Sequence, residues 1–219
     1  MKGIFIYLFV LFSTLDCANI EKGKHDGRSQ PSSNHKRLAK IKSGKYGDVS
    51  IGISGDTITG VYEYYDKWNL TANQFTDINV FYFFGRLNNN NQITIKAGWP
   101  GDDLISGSIT YEDGFTLTLE DQPNGYAAVD FVSEGYKALN TLNKNWKRIA
   151  IIKSKKSFLY SAPSLERTKV YLISEDIVKI LDNFNGWSRI EYNPPANQGK
   201  TFTGWIHDSD LYNCDPNKW

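Results

Sequence analysis

Asn185-Gly186-Trp187-Ser188-Arg189-Ile190-Glu191-Tyr192 decides how the second half of this chain folds. Asn-Gly favours a two-residue turn, because a hairpin's twist demands positive φ and glycine adopts it without strain. Beyond it, Trp187, Arg189 and Glu191 alternate with Ser188, Ile190 and Tyr192, the period of a strand. A hairpin returning from residues 180–182 follows. Upstream, Val170, Leu172, Ile177, Ile180 and Leu181 are interrupted by Ser174-Glu175-Asp176, which predicts two short strands with a reversal near Glu175. Downstream, Pro194-Pro195 cannot donate ladder hydrogen bonds, so 193–200 reads as an exposed loop. Thr203-Gly204-Trp205-Ile206 then closes the sheet, and Ser209-Asp210-Leu211 forms a terminal turn.

With Ser157-Phe158-Leu159-Tyr160-Ser161-Ala162-Pro163 in front, the two Gly-Trp strands in this order resemble a bacterial SH3-like domain over residues 157–211. The resemblance implies a small barrel. It also implies a groove of aromatic side chains that engages an extended peptide or, in bacterial examples, cell-wall peptides. The positions matching that groove by strand location are Tyr160, Trp187, Tyr192 and Trp205, expected as ligand-binding residues, with core packing as their ordinary alternative role. Small barrels host many binding jobs, so the implied partner, a peptidoglycan peptide or an envelope protein, follows from the resemblance alone.

At the other end of the chain, Lys2 precedes Ile4-Phe5-Ile6-Tyr7-Leu8-Phe9-Val10-Leu11-Phe12, the charged and apolar regions of a secretory signal peptide over 1–18. The apolar run is well short of the roughly 20 residues a spanning helix needs. Two processing routes stay open at Ser13-Thr14-Leu15-Asp16-Cys17-Ala18: cleavage after Cys17 or Ala18, or lipidation of Cys17 as in bacterial lipoproteins. Membrane contact is expected only through such an anchor, and the localisation is the periplasm or cell envelope. Loss or lipidation of Cys17 leaves Cys214, the other cysteine, as a lone thiol.

Residues 19–42 are polar, lack apolar periodicity and bury too little surface to offset their entropy, which predicts a disordered tether. Lys22, Lys24, Arg28, Lys36, Arg37, Lys40 and Lys42 face only Glu21 and Asp26, so the tether is basic. The whole chain carries a formal charge of +1, hence the folded part is mildly acidic. With no basic stripe, it is not expected to bind nucleic acid.

Between tether and SH3-like region, the segments 46–53, 57–65, 78–87, 92–97, 104–111 and 115–120 are short and rich in β-branched or aromatic residues. Ser54-Gly55-Asp56, the Asn88-Asn89-Asn90-Asn91 run, Pro100-Gly101-Asp102-Asp103 and Asp113-Gly114 separate them. Such spacing predicts an antiparallel meander over 43–146, curled into a small barrel or a strongly bent sheet. Val49, Ile51 and Ile53 alternate with Ser50, Gly52 and Ser54, which predicts one face in a core and the other in water. Thr59-Gly60-Val61-Tyr62-Glu63 and Gly85-Arg86-Leu87 loosely resemble avidin- or lipocalin-type barrels, with no ligand residues carried over. Tyr62, Tyr64, Tyr65 and Trp68 are expected at a barrel mouth or over its end. Residues 127–131 are read as a last strand and 133–142 as one or two helical turns. With no long linker, the second module (147–213) packs on the first, its first strand at 149–152.

Chemistry is sparse. Of three histidines, His25 and His35 fall in the tether and His207 ends the last strand. No cysteine partner, nucleophile elbow or metal-type His/Cys spacing accompanies them. Asp102-Asp103, Glu112-Asp113 and Glu120-Asp121 fall in turns, where acids hydrogen-bond the local backbone. The expectation is a mainly β, two-module, exported binding protein that is no enzyme and uses no cofactor or metal. The alternative is a small-ligand-binding or inhibitor protein acting through the N-terminal barrel.

Overall fold

The computed structural model describes residues 41–72, 74–87, 92–111, 114–123, 129–195 and 199–219. The segments expected as export signal and as tether through residue 40, and the separators expected as turns at 88–91 and 112–113, lie outside them. The fold is mainly β, 59% strand, with no α-helix among the described residues.

Nine strands build the first sheet: β1 (Gly44–Tyr46), β2 (Val49–Ser54), β3 (Thr57–Asn69), β4 (Gln74–Arg86), β5 (Gln92–Gly98), β6 (Ile105–Tyr111), β7 (Phe115–Leu119), β8 (Tyr136–Ala138) and β9 (Asn140–Asn143). Their order is β8-β7-β6-β5-β4-β3-β2-β1-β9, with every pairing antiparallel. Only Leu139 separates β8 from β9. The segment 136–143 therefore pairs with β7 by one half and β1 by the other, nearly closing the sheet into a barrel. Closure is tight at Gly44, where an added Cβ would lie 2.0 Å from the Leu142 carbonyl oxygen.

Residues 133–142 are thus not helical. Asp130 Oδ1 accepts the amides of Val132 and Ser133 at 3.0 and 2.8 Å, a local turn that competes with helix, and Gly135 at φ +67° breaks any helical run. The sheet's two open ends then offer ladder hydrogen bonds that a helix would leave unused. The expected strand at 127–131 is also absent in its described part, residues 129–131. The segment 46–53 is two strands, since Gly47 at φ +60° turns the chain between β1 and β2.

Inside the barrel, Tyr46, Val49, Ile51, Ile58, Tyr62, Phe81, Phe83, Ile93, Ile95, Ile109, Phe115, Leu117 and Phe131 form one buried cluster. Tyr62 stacks on Phe81 with centroids 5.5 Å apart and meets Phe131 and Tyr136 edge-on at 5.2 Å. These buried side chains occupy the barrel interior. β3 and β4 outrun their neighbours, because β2 pairs only as far as Tyr62 and β5 only from Tyr82. Residues 63–72 and 74–80 consequently project as a two-stranded ribbon, with exposed Leu70 near its tip.

The second sheet runs β10-β13-β14-β15-β11-β12, from β10 (Arg148–Ile151), β11 (Ser157–Tyr160), β12 (Arg167–Leu172), β13 (Ile177–Phe184), β14 (Trp187–Tyr192) and β15 (Phe202–His207). Asn185 and Gly186 both take positive φ, 46° and 78°, in the β13–β14 hairpin. Glu175, at φ 76°, reverses the chain, yet β12 and β13 do not pair; the Glu175 amide donates to the Ile152 carbonyl instead. Ala150, Ile152, Leu159, Leu172, Val178, Ile180, Ile190 and Ile206 make this module's core.

The two sheets share a third cluster, in which Val61 and Tyr82 meet Trp146, Ile149, Ile151 and Ile177. Gly52 lets the backbones touch: a Cβ there would sit 2.6 Å from Arg148 Cα. Beside it the Ile149 amide donates to Thr59 Oγ1 at 2.8 Å. The C-terminal residues return to the first barrel, where Trp219 packs 5.4 Å from the Tyr82 ring. Cys214 is disulfide-bonded, and the expectation of a lone thiol applies to a chain from which Cys17 has been lost or in which it is lipidated.

Candidate functional site

In β14 and β15, Trp187 lies opposite His207 and Arg189 opposite Trp205, while Tyr160 of β11 lies opposite Trp205 on its other side. Directly paired residues share a face, as do residues two apart. Tyr160, Trp187, Trp205, His207 and Arg189 are therefore on one face, pointing away from the core that Ile190 and Ile206 enter. Trp187 is 9% exposed, sandwiched by Tyr160 edge-on at 5.0 Å and His207 at 3.7 Å between centroids. Tyr160 and Trp205 are half-buried and Arg189 is exposed.

Tyr192 does not join them. It falls on the Ile190 face, packs against Phe202 and the core, and donates from its hydroxyl to Asp176 Oδ1 at 2.6 Å. Burial pushes its phenol well above the usual range, and the Asp176 bond and nearby negative charge add to this. His207, read from the sequence as a strand-end residue, is the aromatic-face member that reasoning missed; its parity with Trp205 was the available signal.

A second concavity opens between the sheets. This cleft of about 590 Å³ is lined by Ser50 and Glu63 of the first barrel, Lys144 and Trp146 of the connection, Lys179 and Glu191 of the second sheet, and others including Tyr65, Pro194 and Pro195. Two ion pairs cross it: Lys179 Nζ to Glu63 Oε2 at 3.7 Å, and Lys144 Nζ to Glu191 Oε2 at 3.6 Å. The Lys179 side chain is only 6% exposed, and its distance to Glu63 exceeds that of a hydrogen bond. Glu63 Oε1 accepts the Tyr65 hydroxyl at 3.3 Å, and burial together with the Glu63 charge drives that phenol's pKa upward. Ser50 Oγ and Trp146 Nε1 are buried without a hydrogen-bond partner among the described residues. No sequence pattern marked this cleft, because its lining comes from five separate stretches.

Of the expected mouth residues, Tyr62 and Tyr64 pack in or against the barrel core. Tyr65 and Trp68 flank Phe75 on the ribbon, with centroids at 5.3 and 4.8 Å. Of the acids expected in turns, Asp121 accepts the Gln122 amide through Oδ1 at 2.7 Å. Among the described residues no group of three His, Cys, Asp or Glu side chains is placed to hold a metal ion. No family model, curated protein or solved structure matches this chain.

Proposed function

We propose that this chain is an exported, non-catalytic envelope protein that binds an extended peptide, of the cell wall or of a protein partner, on an SH3-like second module. The observation that carries this reading is the common outward face of Tyr160, Trp187, Trp205 and His207, flanked by the exposed Arg189. Trp187 acts as the buried base of that surface, while Tyr160 and Trp205 offer accessible ring area. Aromatic rings bordered by an arginine suit a peptide, because they supply contact area at small entropic cost and a guanidinium answers its carbonyls or carboxylates. Tyr192, on the other face, drops out of the proposed ligand set.

A non-catalytic role is favoured because His207 lies against Trp187 rather than against a nucleophile, and the nearby Ser188 hydroxyl donates to Asp208 at 2.6 Å. The alternative, ligand capture inside the first barrel, is weakened by a lumen filled with Tyr46, Tyr62, Phe81, Phe83, Phe115 and Phe131. Co-sedimentation of the chain with purified peptidoglycan sacculi tests the reading. Retention that falls at least tenfold in folded Trp205→Ala and Tyr160→Ala proteins is expected. Retention equal to the parent's in both variants removes the aromatic face as the site. Capture of one discrete envelope protein in place of the sacculus shifts the partner from wall to protein.

A further inference from the structure

We propose that the cleft between the two sheets is a binding site for an amino-acid-like zwitterion, a small ligand carrying both a carboxylate and an ammonium. This stands apart from the aromatic face and does not depend on it. Three buried donors line the cleft without hydrogen-bonded acceptors: the Lys179 ammonium, the Ser50 hydroxyl and the Trp146 indole N–H. A buried donor left unpaired costs free energy, and folds retain such groups where a ligand satisfies them. Donors alone call for an anion. The cleft's charges, however, are balanced: Lys45, Lys144 and Lys179 line it together with Asp48, Glu63 and Glu191.

A bare anion beside Lys179 would also meet the Glu63 carboxylate, which lies 3.7 Å from the same ammonium. A zwitterion resolves this. Its carboxylate takes the Lys179, Ser50 and Trp146 donors while its ammonium faces Glu63 and Asp48, so that every charge gains a partner and the balance is kept. Tyr65 donates to Glu63 Oε1, while Glu63 Oε2, ion-paired with Lys179 at 3.7 Å but beyond hydrogen-bond distance, keeps acceptor capacity for that ammonium. The volume of about 590 Å³ accommodates a free amino acid or the end of a short peptide. Because the lining residues come from both sheets, occupation would also clamp the modules together.

The test is thermal denaturation of the chain with about 10 mM alanine, alanylalanine, N-acetylalanine or alaninamide. Alanine or alanylalanine is expected to raise the midpoint by about 2–4 °C, while the analogues lacking one charge do less. Alanylalanine acting alone identifies a peptide end as the ligand, and alanine acting equally identifies a free amino acid. Stabilisation by none of the four, or equal stabilisation by N-acetylalanine, overturns the proposal. Ser50→Ala guards against a variant that fails to fold. Since its hydroxyl has no partner, the unliganded midpoint is expected to hold or rise while ligand affinity drops about tenfold. A lowered unliganded midpoint, or unchanged affinity, removes Ser50 from the site and overturns the three-donor geometry. Lys179→Met paired with Glu63→Gln, which removes both charges together, is expected to abolish the ligand-induced shift.

Discussion

The Tyr82 hydroxyl, on β4, donates a 2.7 Å hydrogen bond to the carbonyl oxygen of Cys214, joining residues 132 positions apart. Both residues are buried, so nothing in solvent replaces the bond when it is lost. Tyr82→Phe keeps the ring against Trp219 but strands that carbonyl. The expected cost is about 1–3 kcal/mol, read as a lower urea midpoint at unchanged slope. An unchanged midpoint would mean that ring contacts alone hold the C-terminal tail.

Alkaline pH should unfold the protein through its tyrosines. Tyr62, Tyr65, Tyr82 and Tyr192 all have phenols pushed well above the usual 10.0, first by burial and, in Tyr62, Tyr65 and Tyr192, further by neighbouring carboxylates. In the unfolded chain they ionise near 10.0. Their contribution is therefore complete below that pH and is lost as pH rises toward the folded values. Tyrosinate absorbance followed beside circular dichroism should show ionisation coinciding with loss of strand signal. Ionisation of these four without unfolding would contradict their burial.

Gly52→Ala is expected to disturb the contact between the sheets more than either barrel. The added methyl would meet Arg148 N, Cα and C at 2.6–2.7 Å, and all three are backbone atoms. A loss of about 1–3 kcal/mol follows, with calorimetry resolving two transitions where the parent shows one. One sharp transition at the parental temperature would show that the backbones separate without cost.

Trp187→Ala and Trp205→Ala should differ in stability. Trp187 is 9% exposed and sits between two rings, so its truncation is expected to cost about 3–5 kcal/mol. Half-buried Trp205 should cost less than about 2 kcal/mol. Chemical denaturation of both variants checks the order, and a reversal would place Trp205 at the base of the face.

Much of the β architecture was legible because strand and turn chemistry is local. Asn185-Gly186 announced its hairpin, and the Gly, Asn and Asp separators placed most strands of the first sheet within a few residues. The closing segment was not legible, since three- and four-residue strands carry no measurable period and owe their form to distant partners, β7 for β8 and, nearly the whole first barrel away, β1 for β9. Within the candidate site, strand parity already separates Tyr192 from Trp187: an odd and an even position on one strand face opposite ways. The cleft could not be read in advance, because Ser50, Glu63, Trp146 and Lys179 meet only once both sheets have formed.

Sealing of β1 by β9 also sets the order of events during synthesis. Lys45 cannot find Leu142 until the ribosome has released nearly the whole first barrel. High contact order of this kind slows folding and leaves an unsealed strand waiting meanwhile. A barrel that cannot shut early stays open along that seam until its last strand has emerged.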